Sequence, residues 1–79
     1  MATLQSIHGD FAVVDLGRSD KMWGSVYLTQ QGYVTKYKVI GLHHTAEEAG
    51  LTTIAIAHVV KILGKQSVVS MIHGVEYTI

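Results

Sequence analysis

The sequence predicts a small α+β domain in the order β-β-β-β-α-β-β, with one long helix packed on one face of a small antiparallel or mixed sheet. Two observations carry this prediction. The first half of the chain contains runs of β-branched and aromatic residues separated by turn formers. A long apolar segment with helix start and stop signals follows them. A chain of 79 residues suits a single domain, which we place at residues 1–79.

Four predicted strands occupy the first half of the chain. Residues 3–7 and 11–16 flank His8-Gly9-Asp10 and form a hairpin. A third strand, 22–29, follows the turn formers at 17–20, and a fourth, 33–39, follows a turn at 30–32. In the fourth strand, period-two alternation places Lys36 and Lys38 on the face opposite Tyr37, so we expect one face to be solvated.

The helix is predicted from its two ends. Thr45 and Glu48 have capping-box spacing, in which each side chain accepts a hydrogen bond from a free backbone N–H. Lys61 suits the last turn, and Gly64 can adopt the left-handed conformation that ends a helix. The helix is therefore predicted to span about residues 46–63. Two strands, 67–72 and 75–79, should follow and meet at a turn at 73–74.

Composition narrows the class of protein. Apolar residues make up 48% of the chain and charged residues 15%, against a typical charged share of roughly 25%. The net charge of zero provides no long-range attraction for nucleic acid or an acidic membrane. No apolar stretch approaches the roughly 20 residues of a membrane span, and no signal peptide is visible at the N terminus. The absence of Cys excludes disulfides and thiolate metal centres. We expect a cytoplasmic protein without a membrane partner.

Self-association is predicted because so small a core is marginal and disulfides are excluded. On a helical projection, Gly50, Thr53 and Ala57 form a stripe of small side chains that ends at Lys61 and would let a second helix approach closely. A two-fold homodimer is the commonest closed assembly. The same stripe could instead lie against the sheet or simply be exposed. In the dimer interpretation, the core receives the other, more apolar half of the helix: Ala49, Leu51, Ala55, Ile56, Val59, Val60, Ile62 and Leu63.

Aromatic and basic residues of the third and fourth strands form a second candidate surface. They could bind single-stranded nucleic acid or a partner protein, or the aromatic rings could line the sheet face that receives the helix. Zero net charge makes nucleic acid the less favoured partner. The residues concerned are Trp23, Tyr27, Tyr33, Lys36, Tyr37 and Lys38.

Residues that could carry chemistry are present but poorly spaced. Among five His, the adjacent His43 and His44 would point opposite ways in an extended segment, and His58 lies more than three turns into the helix. Ser6, His8 and Asp10 supply the residue types of a catalytic triad, yet all three fall within one hairpin. We therefore predict no catalytic residue, no metal and no cofactor.

These observations predict a non-enzymatic, homo-oligomeric module that binds itself and an unidentified protein. A small, neutral, cysteine-free domain is compatible with a phage or plasmid accessory protein that inhibits a larger host complex. The alternatives are a nucleic-acid-binding module, which would use the aromatic and basic residues, and a small-ligand-binding or metal-binding protein.

Overall fold

A computed structural model describes residues 2–79, and in that range the chain forms five strands and two helices. The strands pair in the order β1-β2-β3-β4-β5, each antiparallel to its neighbours, and α1 lies between β4 and β5 in sequence. This confirms the α+β class, with one long helix on the sheet. The elements are β1 (Thr3–His8), β2 (Phe11–Asp15), β3 (Trp23–Gln31), β4 (Val34–His43), α1 (Ala46–Leu63), α2 (Lys65–Val69) and β5 (Glu76–Thr78).

The first four strands form a meander whose turns use glycine where the chain must reverse tightly. Gly9 between β1 and β2 and Gly32 between β3 and β4 have φ of 66° and 63°, a region that other residues rarely adopt. The register shifts between Leu4 and Ser6 of β1 and between Ser25 and Val26 of β3, where β4 carries the extra residue. Such irregularities bend and twist a strand, so the long β3–β4 ribbon is curved rather than flat.

Both faces of the sheet carry buried side chains, most clearly on β2. Phe11 lines a cavity together with Ala57 and Val60 of α1, so the helix covers the face occupied by Phe11 and, two residues on, Val13. We call this the helix face. The alternate residues of β2 point the other way, to the far face. Its core consists of Ala12, Val14, Val26 and Tyr37, with Ala2, Leu4, Leu16, Leu28 and Val39 packed against it.

The ends of α1 match the predicted span. The Thr45 side chain accepts a hydrogen bond from the Glu48 N–H at 3.1 Å. The Glu48 carboxylate accepts from the N–H of His44, one residue earlier than a capping box requires, at 3.3 Å. At the other end Gly64, with φ of 90°, donates its N–H to the Val60 carbonyl. Side-chain capping at one end and a glycine with positive φ at the other thus delimit the helix.

The predicted strand at residues 67–72 is wrong. Residues Lys65–Val69 form the short helix α2, in which the N–H of Val68 donates to the Gly64 carbonyl and that of Ser70 to the Gln66 carbonyl. Val68 is buried while Ser67 and Ser70 on either side of the turn are exposed. One helical turn buries this valine and satisfies the backbone locally, which outweighs the β propensity of the Val pair. Instead of forming a terminal hairpin, β5 pairs with the edge strand β4.

Candidate functional site

The side of α1 that points away from the sheet is apolar. Leu51, Ile54 and Ile62 are 71, 53 and 68% exposed. At 100° per residue they lie within or beside the arc opposite the buried Thr53. We call this surface the outer helix face; it comprises Leu51, Ile54, Ala55, His58, Val59, Ile62 and Leu63, all exposed. The ionic side chains of the helix stand at its two ends, Glu47 and Glu48 in the first turn and Lys61 in the last.

The small-residue stripe is turned mostly towards the sheet, which corrects the expectation that it is a free surface. Thr53 is fully buried, and its hydroxyl donates to the Ala49 carbonyl at 2.7 Å and lies 3.5 Å from the Ala12 carbonyl. Ala57 is half-buried. Gly50 has no heavy atom within 4 Å of where a Cβ would stand, and Lys61 is exposed. A second helix therefore cannot reach Thr53 without displacing the sheet.

The small residues of α1 face the sheet for a steric reason. The helix face of the sheet carries the bulky side chains Phe11 and Val13, both buried, and Tyr27, whose ring centroid lies 5.5 Å from that of Phe11. Small side chains at Ala49 and Thr53 let the helix approach this layer, whereas leucine or isoleucine there would overfill it. The Thr53 hydroxyl finds a partner in its own helix, so its burial leaves no unpaired polar group. Large apolar side chains are left on the outside.

The predicted aromatic and basic surface is not one surface. Trp23 and Tyr27 lie on the helix face of β3, and Lys38 pairs opposite Tyr27 across the strands. Tyr37 is buried on the far face, and Tyr33 is fully exposed in the turn before β4. Lys36 pairs between Thr29 and Thr78. The four rings therefore do not form a continuous stacking platform.

The histidines do not converge. His44 and His58 are exposed, while His43 belongs to β4 and its Nε2 lies 3.0 Å from the hydroxyl of the buried Ser25. Among residues 2–79, no three His, Asp or Glu side chains are placed to hold a metal ion.

The Ser25–His43 pair resembles a nucleophile and its base, but its surroundings argue for a structural role. Ser25 is fully buried, so its hydroxyl cannot meet a substrate. A Cβ on the neighbouring Gly41 would stand 2.9 Å from the Ser25 hydroxyl and 3.0 Å from His43 Nε2, so glycine is needed beside the pair. The alternation of β3 and β4 offered no signal for this pair, because the bulge sets which residues of the two strands face each other.

The Ser6, His8 and Asp10 set is split in the structure. The Ser6 hydroxyl lies 3.4 Å from His8 Nε2 along β1, while Asp10 forms an ion pair with Lys65 at 3.3 Å. The carboxylate therefore ties the β1–β2 turn to α2 instead of orienting the imidazole.

A cavity of about 560 Å³ opens on the far face of the sheet, beside β5. Tyr37 and Tyr77 form part of its lining, with ring centroids 5.6 Å apart and planes inclined by 31°. Burial, and secondarily the neighbouring Tyr77, raises the pKa of the Tyr37 hydroxyl above its ordinary value of 10.0. The remaining lining residues are apolar apart from one arginine: Leu16, Arg18, Val39, Leu42 and Val75.

The loop that carries Arg18 is held by its own carboxylates. Asp15 accepts a hydrogen bond from the Gly17 N–H at 3.0 Å. Asp20 accepts from the Met22 N–H through Oδ1 at 3.2 Å, and through Oδ2 from Arg18 Nη2 at 2.7 Å. Arg18, which lines the cavity, is therefore part of a structured turn, and Asp20 holds its guanidinium. This cavity was not predicted, because its lining residues come from three separate parts of the chain.

No helix within residues 2–79 is both long and apolar enough to cross a membrane. The predicted cytoplasmic location remains a prediction.

The Cα radius of gyration of 11.9 Å matches the roughly 12 Å expected for one compact domain of this length. Searches for relatives found no matching family model, no matching curated protein and no matching solved structure.

Proposed function

We propose that this chain is a non-enzymatic, homodimeric protein-binding module whose self-association surface is the outer helix face. The observation that carries the proposal is the row of exposed aliphatic side chains that includes Leu51, Ile54 and Ile62 on the side of α1 opposite the sheet. A helix of a water-soluble monomer normally has charged side chains there. Burying this row against a second copy removes apolar surface from water.

A second copy fits this face because α1 is acidic at one end and basic at the other, so two copies can pair opposite charges. A two-fold axis perpendicular to the helices places the two copies of α1 antiparallel, so the acidic first turn of one helix lies beside the basic last turn of the other. Glu47 and Glu48 then meet the end that carries Lys61. Ala55 and His58 lie near the middle of the row, and the small Ala55 side chain permits close approach at the axis.

The size of the surface predicts a weak dimer. Eighteen residues span about 27 Å, so a contact through this helix alone lies at the small end of specific interfaces. We expect a dissociation constant on the order of micromolar.

The proposal is tested by the solution mass of Ile54→Glu and its matched control Ile7→Glu across concentration. Both isoleucines are similarly exposed, at 53 and 57%, but Ile7 belongs to β1. The wild-type chain and Ile7→Glu should dimerise at tens of micromolar, whereas Ile54→Glu should weaken dimerisation by roughly tenfold or more. Circular dichroism should show that all three are folded.

Two outcomes would contradict the proposal. A wild-type chain that is strictly monomeric at tens of micromolar would exclude self-association as its function. A dimer that Ile54→Glu leaves intact, or that Ile7→Glu alone disrupts, would place the interface elsewhere.

A further inference from the structure

We infer that the far-face cavity is a binding site for a small amphipathic carboxylate, with an apolar, ring-bearing body against Tyr37 and Tyr77 and its carboxylate at Arg18. This site is separate from the outer helix face, because the cavity lies on the opposite side of the sheet from α1.

The volume and lining of the cavity fit a small organic molecule. Ligand sites typically measure about 300 to 1,000 Å³ and combine apolar walls with a few polar groups. This cavity measures about 560 Å³. Leu42, Val75 and Tyr77 line it while remaining 49, 66 and 50% exposed, so folding alone does not bury them. A ligand body would cover this apolar surface.

The aromatic pair favours a flat ring in the ligand. Tyr37 is buried with its ring inclined by 31° to that of Tyr77, so the two rings form a wall against which a third ring can pack in an offset geometry. Burial raises the pKa of the Tyr37 hydroxyl from 10.0, so this group is uncharged at physiological pH. Tyr37 therefore adds no negative charge that would oppose an anionic ligand.

Arg18 selects the head group. Its guanidinium has five N–H donors, and the contact with Asp20 engages Nη2. The remaining donors can hold a carboxylate, which matches a guanidinium in geometry as well as in charge. Asp20 orients Arg18, but its own carboxylate adds a negative charge beside the one that the ligand would bring. Replacing Asp20 by Asn keeps an oxygen for the Met22 N–H and removes the competing charge.

The experiment is a titration of the whole chain with 4-phenylbutyrate, and with the uncharged 4-phenylbutan-1-ol as control, followed by two-dimensional NMR. We expect saturable shifts of the amide signals of Leu16, Val39 and Tyr77 with the acid, and weaker binding of the alcohol. Arg18→Gln should weaken binding of the acid roughly threefold, because the guanidinium is half-exposed, and should leave the alcohol unaffected. Asp20→Asn should strengthen binding of the acid.

Leu42→Trp should abolish binding of both compounds, because the large side chain fills the cavity. If that variant does not fold, Val75→Trp makes the same test from the connection before β5. Absence of saturable shifts up to millimolar acid would overturn the inference. So would equal effects of Arg18→Gln on acid and alcohol, or unchanged binding when the cavity is filled.

Discussion

At the scale of single residues, two glycines show how position decides the effect of the same substitution. A Cβ at Gly41 would stand 2.9 Å from the Ser25 hydroxyl, and this side chain is buried and cannot move freely. A Cβ at Gly50 would meet nothing within 4 Å. Gly41 sits in a strand between two packed side chains, whereas Gly50 sits in a helix where alanine is the better residue.

We expect Gly41→Ala to lower the free energy of unfolding by about 1 to 3 kcal/mol, because it overpacks the Ser25–His43 contact. Gly50→Ala should raise it by about 0.5 to 1 kcal/mol. Urea denaturation of both variants makes the comparison. Equal effects of the two substitutions would show that the space around Gly41 is not as tight as the structure indicates.

Tyr37 makes the free energy of unfolding depend on pH. Its pKa is raised in the folded state, so above the ordinary pKa of 10.0 the unfolded chain loses this proton while the folded chain keeps it. The contribution of the protonated Tyr37 hydroxyl to the free energy of unfolding is therefore fully present below pH 10.0 and is lost as pH rises through the folded-state pKa. In urea denaturation between neutral pH and pH 11, we expect the wild-type chain to lose more stability than Tyr37→Phe. Parallel profiles would contradict this expectation.

At the scale of elements, the orientation of α1 is the main finding. The fully buried positions of the helix are Ala49 and Thr53, with Ile56 and Val60 half-buried, while Leu51, Ile54 and Ile62 face solvent, so α1 is apolar on both sides. Its neighbour α2 shows the same principle, because burying Val68 decides its conformation. Packing against the rest of the chain therefore decides both the orientation of α1 and the conformation of α2.

The orientation predicts opposite responses at Thr53 and Leu51. Thr53→Leu should lower the free energy of unfolding by about 1 to 3 kcal/mol, since the added carbon atoms must fit between helix and sheet. Leu51→Gln replaces an apolar side chain that is larger than that of Thr53. It should nevertheless change the free energy of unfolding by no more than about 0.5 kcal/mol, since Leu51 is exposed. Chemical denaturation, read at a concentration low enough to keep the chain monomeric, measures both. The reverse ranking would mean that the helix is rotated by half a turn.

At the scale of the whole molecule, apolar side chains are left exposed on two opposite sides. The outer helix face lies on one side of the sheet and the far-face cavity on the other. Charged residues make up only 15% of the chain, and its net charge is zero, so electrostatic repulsion does little to keep copies apart. A macromolecular contact on one side and a small ligand on the other would each cover a surface that folding leaves open.

The residues by themselves determined the α+β class, the four-strand meander and the limits of α1. Those features follow from local signals: β-branched and aromatic runs in the strands, alternation in β4, glycine in the turns, and Thr45 and Gly64 at the ends of the helix. The candidate sites depended on information that is not local. A helix that is apolar on both sides does not indicate which side meets the sheet, so only the bulk of Phe11 and Val13 decided that Thr53 is buried and Leu51 exposed.

The same holds for the far face and for the end of the chain. The far-face cavity brings together residues from the β2–β3 loop, β4 and the segment around β5. No spacing along the sequence predicts that these residues are close in space. The conformation of residues 65–69 depended on the burial of one valine, and the partner of β5 on the open edge of β4. Tertiary structure decided these features because packing and strand pairing act between residues that are distant in sequence.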